Sequence, residues 1–370
     1  MIIITILVLI IIFILILDFR PVKKIRFLED NILDIKDINI DDKISFFKVI
    51  AHVHTQFSFD SLGKPSDIEF AIKHNKIDYV FITDHDNDDF KYFATDKMSA
   101  GIELNTEDGR LLLLDNKLPV ISHPNNFEFD HYRWKGEFKK EYLYELINVK
   151  DAIVWKKSLS ILTALKNLFL LPFSRNPYRK WNSLLPLEKW VDLYFKRAKG
   201  LNIIGGLDIH IKFVYQEHTN GVLIPSYKRG FKWVINHTYL TDFSDINKDK
   251  ILEALKLGNN IILINGFEAK VWVNREKDIY TNGDKIPVNS FINCKVETEK
   301  FNSVKILKRD NVPILITEKN EFSFHLDKKG NYHIEFYEYD FKIGNILFGF
   351  RPLGLTNLFE VVDEREKINT

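Results

Sequence analysis

Strand-like and helix-like segments alternate along residues 46–266, and this alternation limits the chain to a small set of folds. A β-rich run at residues 48–53 precedes Ser66-Asp-Ile-Glu69, a capping box that predicts a helix ending near Asn75. Further strands are predicted at residues 79–83, 101–104, 111–114, 119–122, 152–155 and 202–207, and helices at 137–148, 157–170, 187–199 and 249–257. Alternating strands and helices favour parallel pairing, so we expect an α/β fold, either a barrel or a doubly wound sheet.

The pattern changes after residue 267, where short strands of period two follow one another without helices between them. Turn residues such as Asn282-Gly283 and Lys329-Gly330 separate these strands. The pattern predicts a small all-β sandwich at residues 267–370.

The chain begins with a run of 17 uncharged residues, MIIITILVLIIIFILIL, in which Thr5 is the only polar side chain. A helix of this length measures roughly 25 Å, which is just enough to cross a bilayer. We expect a transmembrane anchor at residues 1–18, followed by a tether at residues 19–45. A cleaved signal peptide is the alternative, although a basic start and a small-residue cleavage site are missing.

Basic residues directly follow this segment and bear on the membrane face that carries the rest of the chain. They favour a cytoplasmic location, whereas short anchors also tether exported enzymes, so the face stays open. The residues are Arg20, Lys23, Lys24 and Arg26.

The balance of charge and the cysteine count exclude several classes of protein. Lys and Arg number 52 against 51 for Asp and Glu, a net charge of +1, so no nucleic-acid partner is expected. The single cysteine excludes an intramolecular disulfide and a Cys-rich zinc module. With 11 histidines present, any metal ion would be bound by imidazole and carboxylate groups.

Histidines and carboxylates occur where successive predicted strands end. His52 and His54 alternate along one strand, and alternate residues of a strand point to the same side. In a parallel barrel the carboxyl ends of all strands meet on one face, so such residues can come together there. The predicted metal ligands are His52, His54, Asp60, His85, Glu103, His123, Asp208 and His210.

These motifs resemble those of the PHP (polymerase and histidinol phosphatase) metallohydrolases. The similar segments are, in order, His52-Val-His-Thr55 with Asp60, Ile82-Thr-Asp-His85, Gly101-Ile-Glu103, Ser122-His-Pro124 and Gly206-Leu-Asp-Ile-His210. The resemblance implies a distorted (β/α)7 barrel at residues 46–266. Together with the β-sandwich, it is similar to the CehA/McbA-like subgroup of PHP hydrolases.

The resemblance also implies a ligand set for each of two or three divalent metal ions, Zn, Mn or Fe. One ion would be held by His52, His54, Glu103 and Asp208. Glu103 would bridge to a second ion, which His123 also binds. A third ion would suit Asp60, His85 and His210.

The expected function is that of a multinuclear metal-dependent hydrolase anchored in a membrane through residues 1–17. A phosphoesterase is favoured, using a hydroxide that bridges the metal ions, with a small anionic phosphoester as substrate and no obligate protein partner. The leaving-group acid is open between Asp84, His218 and a metal-bound water. The alternatives are an ester or carbamate hydrolase of the same fold and an inactive binding or scaffold protein.

Overall fold

The computed structural model describes residues 2–35, 40–170, 172, 180–212, 225–241 and 247–363. The helices are α1 (Ile2–Phe19), α2 (Pro65–Asn75), α3 (Val149–Trp155), α4 (Lys157–Leu170), α5 (Leu187–Arg197), α6 (Tyr227–Gly230) and α7 (Lys248–Lys256). The first strands are β1 (Val22–Lys24), β2 (Ile32–Leu33), β3 (Ser45–Val53), β4 (Tyr79–His85), β5 (Met98–Thr106), β6 (Gly109–Leu114), β7 (Leu118–Ile121), β8 (Leu143–Asn148), β9 (Ile203–Gly206), β10 (Val234–Leu240) and β11 (Asn260–Ile264).

The remaining strands lie beyond residue 268 with no helix among them in the described residues. They are β12 (Ala269–Arg275), β13 (Asp278–Tyr280), β14 (Ile286–Pro287), β15 (Ser290–Val296), β16 (Asn302–Arg309), β17 (Val312–Thr317), β18 (Glu321–Leu326), β19 (Gly330–Tyr339), β20 (Phe341–Ile343), β21 (Ile346–Phe348), β22 (Arg351–Thr356) and β23 (Phe359–Val362). The helices predicted at residues 157–170 and 187–199 are confirmed as α4 and α5. The helix predicted at 137–148 and the strand predicted at 152–155 are wrong, because β8 and α3 occupy these segments.

A mixed 15-stranded sheet runs in the order β14-β23-β19-β22-β11-β10-β3-β4-β5-β6-β7-β8-β9. Strand β16 also pairs with β19, and β17 pairs with β16. Strands β3 to β5 and β7 to β9 pair in parallel, whereas β6 is antiparallel to both its neighbours and β10 is antiparallel to β3 and β11. The predicted (β/α)7 barrel is therefore wrong. Two residues join β5 to β6 and three join β6 to β7, and a parallel crossover needs a dozen or more.

The C-terminal strands continue this sheet, because β22 pairs with β11. A second, five-stranded antiparallel sheet has the order β13-β12-β15-β18-β2 and includes a strand from the N-terminal segment. The two layers share a core in which Val271, Ile292, Leu307, Phe336 and Leu353 are buried. The predicted period-two strands are present, but a separate all-β sandwich is wrong as a fold class. The predicted boundary after residue 266 stays a prediction.

The predicted transmembrane anchor is wrong. Helix α1 has 18 residues and ends in Asp18-Phe19, whereas a span needs about 20 predominantly apolar residues. The Asp18 carboxylate accepts a hydrogen bond from Lys166 Nζ of α4 at 2.5 Å, which ties the end of α1 to the rest of the protein. Among the described residues, no helix combines the length and the apolar character needed to cross a bilayer. The predicted membrane localisation is accordingly wrong as well.

The sheet curves so that its last strand, β9, returns beside β3. The Leu207 amide donates to the Ala51 carbonyl at 3.0 Å, and the His54 amide donates to the Ile209 carbonyl at 3.2 Å. The carboxyl ends of β3, β4, β8 and β9 thereby lie close together although the sheet is mixed. This convergence positions the site described next.

Candidate metal centre

The structure brings all the predicted ligand residues into one buried cluster. His52 and His54 lie at the end of β3, His85 at the end of β4, Glu103 in β5, His123 after β7, and Asp208 and His210 after β9, while Asp60 follows in the loop after β3. Seven of these side chains are 8% exposed or less, and His210 is 11% exposed. The chain thus places imidazoles and carboxylates against one another away from water.

Glu103 lies at the centre of the cluster. Its Oε2 is 3.3 Å from His52 Nε2, 3.2 Å from His54 Nε2 and 3.2 Å from His85 Nδ1. Its Oε1 is 3.2 Å from His123 Nε2 and 3.3 Å from Arg110 Nη1. One carboxylate therefore faces three histidines through Oε2 and a fourth, His123, through Oε1.

Two aspartates also contact histidines of the cluster. Asp208 Oδ1 is 3.5 Å from both His52 Nε2 and His54 Nε2, and Asp208 Oδ2 is 3.6 Å from His123 Nε2. Asp60 Oδ2 lies 2.9 Å from His210 Nε2. It also lies 3.3 Å from His85 Nε2.

These contacts fit a bound cation better than they fit direct hydrogen bonds. Four buried polar atoms of the cluster have no hydrogen-bond partner of acceptable geometry: His54 Nε2, Asp60 Oδ1, His85 Nδ1 and Asp208 Oδ1. Two ligand atoms about 2.1 Å from a tetrahedral ion are about 3.4 Å apart, which matches the N–O distances of the cluster. The buried His, Glu and Asp groups could therefore hold a metal ion.

Ligand atoms lie within 4.8 Å of one another in three overlapping groups: His54, Asp60, His85 and His210; His52, His54 and Glu103; and His52, His123 and Asp208. Because an imidazole nitrogen has one lone pair, His54 Nε2 and His52 Nε2 can each bind one ion only. The group of His54, Asp60, His85 and His210 shares no residue with the group of His52, His123 and Asp208, so each of the two could hold an ion at the same time. If His52, His54 and Glu103 hold an ion, His54 is no longer available to the group with Asp60, and His52 is no longer available to the group with His123.

The electrostatics of the cluster favour positive charge. Burial alone would lower the pKa of His123, but the adjacent Asp151 and Glu103 carboxylates raise it to about 10. Burial likewise opposes charge on His52, and Asp208, Glu145 and Glu103 nevertheless raise its pKa well above the usual value. Buried imidazoles that hold a proton so tightly indicate a site with excess negative charge.

His210 and His85, which both contact Asp60, have lowered pKa values instead. Burial lowers the pKa of His210 to about 3, helped by the nearby charge of Lys150. Burial also lowers the pKa of His85, against the opposing effect of Asp60. These rings are neutral at pH 7 and present lone pairs, which is the form that binds a metal ion.

Three of the predicted ligands have a left-handed backbone, His52 with φ 62°, His123 with φ 51° and Asp208 with φ 47°. For non-glycine residues this conformation costs about 1 kcal/mol each. At His52 it accompanies a register shift between β3 and β4, which re-aims the side chain. Strained backbone of this kind concentrates at functional sites.

A second layer of carboxylates, which sequence reasoning missed, orients the histidines from behind. Glu145 Oε1 is 2.6 Å from His52 Nδ1, while its Oε2 accepts hydrogen bonds from Ser122 Oγ and the His123 amide, both at 3.0 Å. A Cβ at Gly206 would lie 1.7 Å from Glu145 Oε1, so only glycine leaves room for this carboxylate.

Asp151 plays the corresponding part for His123, with Oδ1 2.8 Å from His123 Nδ1. Such partners fix the ring and direct its other nitrogen toward the cluster. One sequence feature could have indicated these carboxylates: Glu145, Asn148 and Asp151 interrupt the apolar run that forms β8 and α3.

The two predicted acid residues have different outcomes. The Asp84 carboxylate is fully buried and accepts hydrogen bonds from the Thr55 amide at 2.6 Å, Thr55 Oγ1 at 2.7 Å and Ser58 Oγ at 2.9 Å. It therefore stabilises the turn after β3. His218 lies outside the described residues.

Comparisons with protein-family models, with curated proteins and with solved structures gave no match. The resemblance to PHP metallohydrolases consequently stays a prediction from the sequence motifs.

Proposed function

We propose that this protein is a metal-dependent hydrolase that acts on phosphoesters, with chemistry of the PHP type. The observation that carries the proposal is the buried cluster around Glu103. It joins imidazole nitrogens and carboxylate oxygens at spacings typical of ligands to one ion, and several of these atoms have no hydrogen-bond partner in the protein.

The ligand types favour Zn, Mn or Fe over Mg or Ca, because imidazole suits transition metals. Two ions can be held by groups that share no residue, and a third arrangement uses His52, His54 and Glu103 together. We therefore propose two or three ions. When bound, they would supply a water of lowered pKa and positive charge toward the oxygens of the ester.

The protein's own residues would prepare the site for this chemistry. Glu145 and Asp151 hold the Nδ1 protons of His52 and His123, which leaves each Nε2 directed at the cluster. Glu103 presents Oε2 to His54 and Oε1 to His123, so it would be available as a ligand to ions beside either oxygen. The buried walls limit solvent access to the open side near His210.

The test uses the full chain, reconstituted with Mn or Zn and measured for metal content by mass spectrometry. We expect two or three ions per chain and hydrolysis of p-nitrophenyl phosphate that a chelator abolishes and added metal restores. Finding less than one ion would refute the metal site. Faster turnover of p-nitrophenyl acetate would indicate an ester hydrolase, and metal without either activity would indicate a binding protein.

A further inference from the structure

Lys150 is a charged residue that lies against the cluster and has no role among its ligands. It belongs to the first turn of α3, between Asn148, which donates to Asp208 Oδ2 at 3.2 Å, and Asp151, the partner of His123. Its Nζ is 3.5 Å from His210 Nε2, 3.9 Å from Asp60 Oδ2 and 4.0 Å from Asp208 Oδ1.

The ammonium group occupies a place where a divalent ion would compete with it. His210 Nε2 has one lone pair, which can accept from Lys150 or bind an ion, but not both. An ion held by Asp60 and His210 would also neutralise the negative charge that attracts Lys150. The ammonium would then turn toward the adjoining cleft, which its 34% exposed side chain already reaches.

This cleft has a volume of about 370 Å³ and is lined by both charged and apolar side chains. Asp60, Asp208, His210 and Lys150 line the end at the cluster. Ile153 and Trp233 also line the cleft and border a second cavity that Asp60, Asp208, His210 and Lys150 do not line, and we call this part the apolar end. The Trp233 ring stacks on Trp181, with ring centroids 5.8 Å apart. A small cavity of about 30 Å³ behind Ile153 and Trp233 is also apolar, apart from two asparagines.

We infer that the cleft binds a phosphate ester of an apolar alcohol. Lys150 pairs with the phosphoryl oxygens, while Ile153 and Trp233 contact the alkyl or aryl group. Once Asp60 and Asp208 bind metal ions, a neutral ester would leave the Lys150 ammonium without an anionic partner. The charge therefore favours a phosphoryl group, and the apolar end favours a hydrophobic alcohol over a sugar or a nucleotide. This inference rests on the proposed function and names its substrate class.

The test measures binding without turnover, using methylphosphonate and benzylphosphonate as probes and isothermal titration of the metal-loaded full chain. We expect benzylphosphonate to bind about tenfold more tightly, because its ring is buried at the apolar end. Lys150→Met should weaken both probes by about tenfold or more, and Lys150→Arg should restore much of the loss. Ile153→Ser should weaken benzylphosphonate alone.

The metal content of each variant is measured first, so that loss of an ion is distinguished from loss of an anion contact. Lys256→Met, on the exposed face of α7, is the matched lysine control and should bind both probes like the wild type. Equal affinity for the two probes would overturn the apolar end, and unchanged binding by Lys150→Met would overturn the anion contact. Failure of the proposed function would appear separately, as metal-loaded protein that hydrolyses no phosphoester.

Discussion

Glu103 and Glu335 are both fully buried glutamates in strands of the same sheet, and both lie beside histidine, yet their surroundings differ. Glu335 Oε1 accepts from Lys308 Nζ at 2.7 Å and lies 3.1 Å from His333 Nε2, while its Oε2 accepts from Tyr337 OH at 2.8 Å. Glu103 is surrounded by imidazole nitrogens and Arg110, at 3.2–3.3 Å.

The difference separates a structural carboxylate from a candidate metal ligand. Around Glu335, an ammonium and a hydroxyl at short distances satisfy both oxygens, as buried charges require. Around Glu103, longer distances and unpaired neighbouring atoms leave the polar groups incompletely satisfied by the protein alone. We therefore expect the two glutamates to have different roles, and each can be tested by the same Glu→Gln substitution.

The largest expected effect is that of Glu103→Gln on activity. The substitution keeps the side-chain volume and removes the charge that faces all four histidines. We expect activity to fall about 10³-fold or more, as when a main electrostatic contribution to catalysis is lost. Metal content should fall by more than one ion, while the circular dichroism spectrum should match that of the wild type.

The control for this substitution is His325→Ala in β18, where the ring is half-buried against Phe291. We expect this variant to keep both metal and activity. Normal turnover by Glu103→Gln with full metal occupancy would contradict the bridging role and remove the distinction from Glu335.

The reverse result is expected for Glu335→Gln, which should lower stability without changing metal content. Burial alone would raise the pKa of Glu335, but His333 and Lys308 lower it from 4.5 to about 2. This shift corresponds to about 3 kcal/mol of stability, because the ionised form is favoured in the folded protein. Chemical denaturation at pH 7 should therefore show a loss of about 3 kcal/mol.

The pH dependence of this loss provides a second measurement. A lowered pKa contributes its full stability above about pH 4.5, and the contribution disappears as the pH falls through about 2. The difference between wild type and Glu335→Gln should shrink over that range. A difference independent of pH would mean that packing, and not the charge of Glu335, explains the loss.

Much of the site could be predicted from the sequence, because its ligands follow apolar strands directly. His85 ends β4, and Asp208 follows β9, so the positions of these polar residues were evident. Glu145 was missed because β8 is buried at all six residues and shows no alternation. A strand buried on both faces cannot be distinguished from a buried helix by periodicity.

The fold was less predictable, since strand pairing depends on contacts distant in sequence. The predicted strands at residues 101–104, 111–114 and 119–122 are separated by six and four residues, which is too few for a parallel crossover on either side of the middle strand. The pairing of β11 with β22 has no local signal, because some 90 residues separate the two strands. Predicting parallel pairing from alternation therefore failed at both places.

The smallest expected effect is that of Glu145→Gln, which tests whether the second layer belongs to the metal centre or to the structural carboxylates. Glu145 contacts His52 through Oε1 and is itself held by Ser122 and the His123 amide, so it resembles Glu335 in being fully satisfied. Its partner His52, however, faces Glu103 and Asp208 through Nε2.

Glutamine at this position can still accept a hydrogen bond from His52 Nδ1, but it no longer makes the ring a stronger base. We expect the affinity for one ion to fall 10- to 100-fold, measured by competition with a chromogenic chelator, and the other ions to bind normally. Glu335→Gln is the matched control and should leave every affinity unchanged. If Glu145→Gln instead lowers stability with all metal affinities intact, Glu145 has a structural role like that of Glu335. The residues that determine metal affinity would then not extend beyond the histidines and carboxylates of the cluster.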